Sequence, residues 1–170
     1  MASPDAESFR AFVETQWGPL TRTAFLLTGD RGRAEDLVQS VLEKVHRGWG
    51  RVGRMDAPDA YVRRAMVNTA ISWRRRRRVS EVPLLAVDSP AETDAYQQVE
   101  HRQQVVAALR SLPPRMRAVL VLRYFEDLSE ADIAETLGCS VGTVKSQGSR
   151  GLDRLRARLQ PAATLEESHS

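Results

Sequence analysis

The stretch Ser129-Glu-Ala-Asp-Ile-Ala-Glu-Thr-Leu-Gly-Cys-Ser-Val-Gly-Thr-Val-Lys-Ser-Gln-Gly-Ser-Arg150 decides the fold. It reads as two helices joined by a tight turn. Ser129 is placed to cap the first helix, and Asp132, three residues on, completes a capping-box pattern. Gly138 falls where that helix must stop, because glycine adopts the left-handed conformation a sharp turn needs. Ser140 is placed to cap the second helix. Ala134 is small enough to let the helices approach, and Val144 can plug the angle between them. This is the spacing of a helix-turn-helix, whose second helix enters a DNA major groove. An ordinary helical hairpin shares these offsets. It does not require the polar, partly basic face that Lys145, Ser146, Gln147, Ser149 and Arg150 give the second helix.

The rest of the chain is read outward from that motif. The 170 residues carry a net charge of only +3, but the charge is unevenly spread. Residues 1–80 carry +6, residues 81–96 carry −4 with no basic residue, and the remainder carries +1. Two structured halves separated by an acidic stretch is the simplest reading. Arg outnumbers Lys 23 to 2; Arg is the better bidentate partner for phosphate and guanine, although a GC-rich genome explains most of such a bias. Cys139 is the only cysteine, so no intramolecular disulfide and no cysteine-rich zinc site is expected. His46, His101 and His169 are far apart, which argues against a metal cluster. There is no leader-like segment and no apolar run long enough to span a bilayer, from which a cytoplasmic location is expected.

Nearly every segment has helical periodicity. Ser3-Pro4 is a helix start, and Gly18-Pro19 is expected to break or kink the run before a second apolar helix from Leu20 to Leu27. Residues 31–49 are strongly amphipathic: Ala34, Leu37, Val38, Val41, Leu42, Val45 and Trp49 fall at steps of three and four. The opposite face carries Glu35, Asp36, Gln39 and Glu43. A basic loop from Arg51 to Asp56 precedes a helix to about Arg78, along which Arg64, Asn68, Ser72 and Arg75 share one face. Residues 79–95 hold Pro83, Pro90 and four carboxylates without helical period, and read as a linker. The fold class is therefore all-α. Two small helical domains, at 5–78 and 96–160, are joined by a flexible linker, with a helix-turn-helix at 129–150 and a frayed tail at 161–170.

Three blocks in order carry a family resemblance. They are Leu26-Leu-Thr-Gly-Asp-Arg-Gly-Arg-Ala-Glu-Asp-Leu-Val-Gln-Ser-Val-Leu-Glu-Lys-Val45, Ala60-Tyr-Val-Arg-Arg-Ala-Met-Val-Asn-Thr-Ala-Ile-Ser-Trp-Arg-Arg-Arg76, and Leu112-Pro-Pro-Arg-Met-Arg-Ala-Val-Leu120 with Gly142-Thr-Val-Lys-Ser146. Together they resemble regions 2 and 4 of bacterial sigma factors of the extracytoplasmic-function (ECF) group. The wording around Gln147-Gly-Ser-Arg-Gly-Leu152 is further similar to a subgroup common in actinomycetes.

The resemblance implies an RNA polymerase sigma factor that directs promoter-specific initiation. The stripe of Glu35, Asp36, Gln39 and Glu43 is suited to a basic, coiled-coil-like surface, which the resemblance makes the β′ clamp helices of core polymerase. The β flap is the second docking partner it implies. The −10 element is melted in this family, with a non-template base flipped into a pocket made by the loop; unpaired bases expose edges and faces that a duplex hides. The residues expected there are Arg51, Arg54, Met55, Asp56, Arg63, Arg64, Asn68, Ser72 and Arg75. The −35 element is expected to be read as duplex by Lys145, Ser146, Gln147, Ser149 and Arg150, with Ser140 and Thr143 at the helix N-terminus suited to phosphate. The arginine run 74–78 spreads around the whole helix and suits sequence-independent phosphate contact. The long central domain and acidic N-terminal region of primary sigma factors are not expected here. Control is therefore expected from expression or from a partner, of which an anti-sigma factor is the kind the family allows.

Three other functions would use parts of the same sequence. A conventional helix-turn-helix regulator would account for residues 112–158 but not for the first half. An enzyme would need a nucleophile–base pair, a Gly-rich phosphate loop or a metal cluster, and none is present in the sequence, so no catalytic residue and no cofactor is expected. The third is a polymerase-binding protein without promoter contact, against which loss of −35 specificity on Lys145→Ala and Arg150→Ala would count.

Overall fold

The computed structural model describes residues 1–79 and 96–160, with side chains for 1–73 and 98–160. The expected linker and tail, and the side chains of the arginine run and Arg75, lie outside the described residues. Among the described residues eight helices follow in order: α1 (Pro4–Thr28), α2 (Arg31–Arg47), α3 (Trp49–Val52), α4 (Pro58–Val79), α5 (Tyr96–Arg110), α6 (Pro114–Tyr124), α7 (Glu130–Leu137) and α8 (Val141–Leu159). All secondary structure among the described residues is helical, as the periodicity predicts.

The helix starts are local chemistry. Ser3 Oγ accepts from the Ala6 amide, Asp30 Oδ1 from Arg33 at 2.8 Å, Ser129 Oγ from Asp132 at 3.1 Å and Ser140 Oγ from Thr143 at 3.1 Å. Each satisfies one of the amides that a first helical turn leaves unbonded. The expected break at Gly18-Pro19 is not there: α1 runs as one helix through Pro19. Both residues lie on the exposed side, and a Cβ on Gly18 would meet nothing within 4 Å. Water can therefore serve the carbonyl that proline leaves unbonded, and the ring meets no packed neighbour. The amphipathic run from residue 31 stops at Arg47 rather than Trp49. Trp49 is still buried, but on its own short helix, where Phe9 and Phe12 pack on its ring at 5.3 and 4.9 Å between centroids and its Nε1 donates to Ser8 Oγ.

Helices α1–α4 form one half and α5–α8 the other. In the first half α1 and α4 pack on α2, whose buried face is the predicted one: Ala34, Leu37, Val38, Val41, Leu42 and Val45. In the second half α6 is the central helix, with Ala118, Val119, Leu120, Val121 and Leu122 all buried, and α7 and α8 pack on it. The apolar cores of the two halves run together, because α1 and α4 also touch α6, α4 touches α7, and α1 touches α5.

Two glycines are required by contact. Gly29 ends α1 with φ 73°, and the Arg110 side chain of α5 lies where its Cβ would be. Gly151 is buried in α8, where a Cβ would come within 2.7 Å of Met116 Cγ and 3.2 Å of Leu120 Cδ1. The α6–α8 crossing depends on that missing side chain. Gly151→Val is expected to destabilise the fold by about 1–3 kcal/mol, the usual cost of overpacking a core. Thermal unfolding followed by circular dichroism measures it, and an unchanged midpoint would contradict this packing.

Candidate nucleic-acid interface

The helix-turn-helix is built as its sequence dictates. Gly138 takes φ 65°, and its amide and that of Cys139 bond back to the last turn of α7. Ile133, Ala134, Leu137 and Val144 are buried at the angle between α7 and α8. Fixing Val144 inward turns the neighbouring positions outward. Thr143, Lys145, Ser146, Ser149 and Arg150 are exposed and Gln147 is half-buried. The predicted reading residues therefore share the open face of α8. Three of the hydroxyls already have local partners: Ser140 Oγ and Thr143 Oγ1 lie 2.9 Å apart, and Ser146 Oγ donates to the Thr143 carbonyl. Lys145 Nζ lies 3.9 Å from Glu130, which is held at 2.8 Å by Arg123. At that distance and with Lys145 well exposed, the ion pair is weak, and the ammonium can turn to another anion.

The first half presents two further surfaces. On α2 the residues Glu35, Asp36, Gln39 and Glu43 are all exposed along one stripe, opposite the buried face. On α4, Arg64, Asn68 and Ser72 are exposed along a single edge, as their spacing predicts. Beside that edge, a cleft of about 200 Å³ opens between α2, α3 and α4. Val41, Val45, Val52 and Ala65 give it apolar walls, while Lys44, Arg51, Tyr61 and Thr69 bring polar groups to it. The Arg51 guanidinium sits 5.9 Å from the centre of the Tyr61 ring, a cation–π arrangement that holds a cation at the mouth. In the loop, Arg54 and Asp56 are exposed and Met55 is half-buried against the core. The Trp49 ring leaves no room for a Cβ at Gly53, 2.8 Å away, which fixes where this loop starts.

The structure separates one residue from its expected group. Arg63 points away from the Arg64–Asn68–Ser72 edge, towards the second half of the chain. Its Nε lies 3.1 Å from Glu126 Oε2, and its Nη2 lies 3.8 Å from Asp59. Glu126 also accepts from the Thr23 hydroxyl. Asn68 Nδ2 donates to the Thr136 carbonyl at 3.2 Å, so α7 touches the reading edge of α4 directly.

Sequence reasoning missed Arg117, the one fully buried charge among the described residues. Its Nε donates to Leu109 O at 2.6 Å, Nη1 to Leu27 O at 2.6 Å, and Nη2 to Arg110 O at 2.5 Å and Leu112 O at 3.3 Å. The signal was present, since an arginine inside the apolar run of α6 needs buried acceptors. Glu126 had no such signal; nothing in its spacing says that it faces another helix. Among the described residues no group of His, Cys, Asp and Glu could hold a metal ion, and no helix is long and apolar enough to cross a membrane.

The cap of α8 is separable from reading. Ser140→Ala is expected to cost about 1 kcal/mol of stability, because the Thr143 amide loses its acceptor while Val144 stays buried. Denaturant unfolding checks this, and no loss would show that the cap contributes nothing.

Comparison with known proteins bears on these surfaces. Residues 12–79 match the family described as sigma-70 region 2, and residues 102–155 match sigma-70, region 4. The RNA polymerase sigma-E factor of Streptomyces avermitilis is 36% identical over 160 residues, covering 94% of this chain and 89% of the relative. The ECF RNA polymerase sigma factor SigM of Mycobacterium tuberculosis is 34% identical over 156 residues, covering 91% of this chain and 78% of the relative. Among solved structures, the sigma factor RpoE in complex with the anti-sigma factor NepR from Bartonella quintana superposes with a TM-score of 0.69 at 26% identity. It covers 91% of this chain and 98% of that one.

Proposed function

We propose a division of labour among the surfaces of a chain that belongs to the ECF group of the RNA polymerase sigma-70 family. As a sigma factor it binds core polymerase and directs initiation at promoters through −10 and −35 recognition. The conventional regulator that the sequence left open is not supported, because the region 2 match spans residues 12–79, which that reading cannot use. Sigma factors are not enzymes, and the family offers no catalytic role for any residue here.

The exposed stripe of Glu35, Asp36, Gln39 and Glu43 docks a basic helical surface of core polymerase, the β′ clamp helices, and the α5–α8 half meets the β flap. Its four side chains leave the buried face of α2 untouched, so docking need not disturb the core. The edge of Arg64, Asn68 and Ser72 reads melted −10 DNA, with Arg75 continuing it and Arg51, Arg54, Met55 and Asp56 shaping the loop beside it. An unpaired base enters the cleft beside Arg51 and Tyr61, whose apolar walls suit an aromatic ring and whose cation suits the adjoining phosphate. Arg63 joins phosphate contact when it is released from Glu126. On α8, Lys145, Gln147, Ser149 and Arg150 read base edges of the −35 duplex, while Ser140, Thr143 and Ser146 hold the helix start and its phosphate contact. The protein acts in the bacterial cytoplasm, on the nucleoid when in holoenzyme. An anti-sigma factor is a fitting partner, since a structural neighbour is solved with one.

The observation that carries this reading is the geometry of α8: Val144 is buried while Lys145 and Arg150 are open to solvent on the same helix. In vitro transcription with core polymerase on a promoter library tests it. The protein is expected to create new start sites sharing −35 and −10 sequences. Arg150→Ala is expected to lower initiation about tenfold and to relax preference at one −35 position, the scale of one lost base contact. Initiation that ignores the −35 sequence in wild type would overturn the assignment of α8.

A further inference from the structure

Glu130 stands between two cations at the edge of the surface assigned to −35 DNA. Its Oε1 lies 2.8 Å from Arg123 Nη1 on α6, and its Oε2 lies 3.9 Å from Lys145 Nζ on α8. One carboxylate at the first residue of α7 thus meets side chains of both neighbouring helices. It is mostly shielded, at 27% side-chain exposure, whereas Lys145 is 66% exposed. Arg123 is held a second time, 6.0 Å from the centre of the Tyr124 ring.

Helix stability alone does not require this residue. A negative charge in the first turn suits the helix dipole, but Asp132 supplies one there, and Ser129 caps the helix through the Asp132 amide. Nor is Glu130 placed to read a base itself. A carboxylate can accept from cytosine N4, but both of its oxygens already face cations. What it brings is a charge that DNA repels. In helix-turn-helix docking the first helix crosses the phosphate backbone while the second lies in the groove. The start of α7, beside Lys145, therefore carries a negative group to the edge of the groove.

That charge weighs differently on two modes of binding. An ammonium has three donors, so Lys145 can bond a neutral base acceptor in the major groove while still facing Glu130. A phosphate contact offers no such sharing. Phosphate and carboxylate are both anions, and bringing them to one ammonium sets them against each other. With water largely expelled from the interface, that repulsion counts for more than in the free protein. On the wrong sequence, where no base acceptor meets Lys145, phosphate is the partner left to it, and Glu130 opposes that contact.

We propose that Glu130 is a specificity-determining residue for −35 recognition. It is a positioning residue that acts through Lys145: it keeps the ammonium for base acceptors and opposes its use on phosphate, while Arg123 fixes the carboxylate. Discrimination then comes from a repulsive element as well as from attractive ones. This rests on the assignment of α8 to −35 duplex DNA.

The test uses holoenzyme formed with core polymerase and two promoters that share one −10 element. One carries the −35 sequence that the promoter library selects, the other a scrambled −35. Fluorescence anisotropy across a salt series measures binding of each by wild type, Glu130→Gln, Glu135→Gln, Lys145→Ala and the Glu130→Gln, Lys145→Ala double variant. Glu135 is exposed on the same helix, so its substitution removes the same charge from α7 and leaves the Glu130 pairs in place. Glu130→Gln is expected to tighten binding to the scrambled promoter about fivefold, with a salt dependence steeper by roughly one phosphate contact, and to leave the selected promoter within about twofold. Glu135→Gln is expected to match wild type. In the Lys145→Ala background the Glu130 substitution is expected to change neither promoter, as a double-mutant cycle requires of a residue that acts through its partner. Equal weakening on both promoters would show a structural role only. Equal tightening on both, or the same effect from Glu135→Gln or without Lys145, would show bulk charge only. Either result overturns the proposal, as does no change. If Lys145→Ala and Arg150→Ala both leave the −35 preference intact, the assignment of α8 fails instead.

Discussion

The fold depends on the burial of one guanidinium. α1 has no basic residue in its last turn, so its terminal carbonyls and the negative end of its dipole lack a cation of their own. α5 ends nearby, and its last carbonyls converge on the same point. Arg117, rising from the start of α6, donates to carbonyls of both helix ends and of the loop between α5 and α6. A charge taken out of water costs several kcal/mol unless its hydrogen bonds are replaced. Here they are, by carbonyls gathered at helix ends, of which Leu109 O also accepts from the Leu112 amide. The arginine satisfies both helix ends at once, which explains why a cation can be buried at the start of the apolar run of α6.

Around that point the rest of the architecture is assembled by short-range rules. Gly29 lets α1 end beside Arg110, and Gly151 lets α8 cross α6 closely. Val144 fixes the rotation of α8 and so decides which side chains face outward. The Trp49 ring, wedged by Phe9 and Phe12, sets where the loop before α4 begins. In each case a buried apolar group positions exposed polar ones. The functional surfaces therefore follow from the core rather than being added to it.

Much of this was legible in the sequence, for reasons that can be named. The helix-turn-helix was readable because capping serines, a left-handed glycine and a single plug residue are local requirements at fixed offsets. The burial of one side of α2 and the exposure of the other followed from its period of three and four. The continuity of α1 through Pro19 was not legible, since it depends on that residue facing water. Nor was the Arg63–Glu126 pair or the Asn68–Thr136 bond, because contacts between residues more than sixty apart leave no periodic trace. Arg117 lies between these cases: its buried setting was visible, its acceptors were not. The family resemblance carried the function, and the helical spacing said which residues of each block could share a surface.

If α4 reads −10 DNA and α8 reads −35 DNA, the two halves, which touch here through α4 and α7, must stand apart on the promoter. Spin labels on Ala60 of α4 and Asp153 of α8, both exposed, with Cys139 replaced by serine, permit pulsed electron-paramagnetic-resonance distances in the free protein and in the complex with core polymerase and promoter DNA. The account predicts one short distance in the free protein and a distribution longer by tens of ångströms in the complex, as the roughly 85 Å along B-DNA between the −35 and −10 positions, at about 3.4 Å per base pair, demands. The same distance in both states would contradict it.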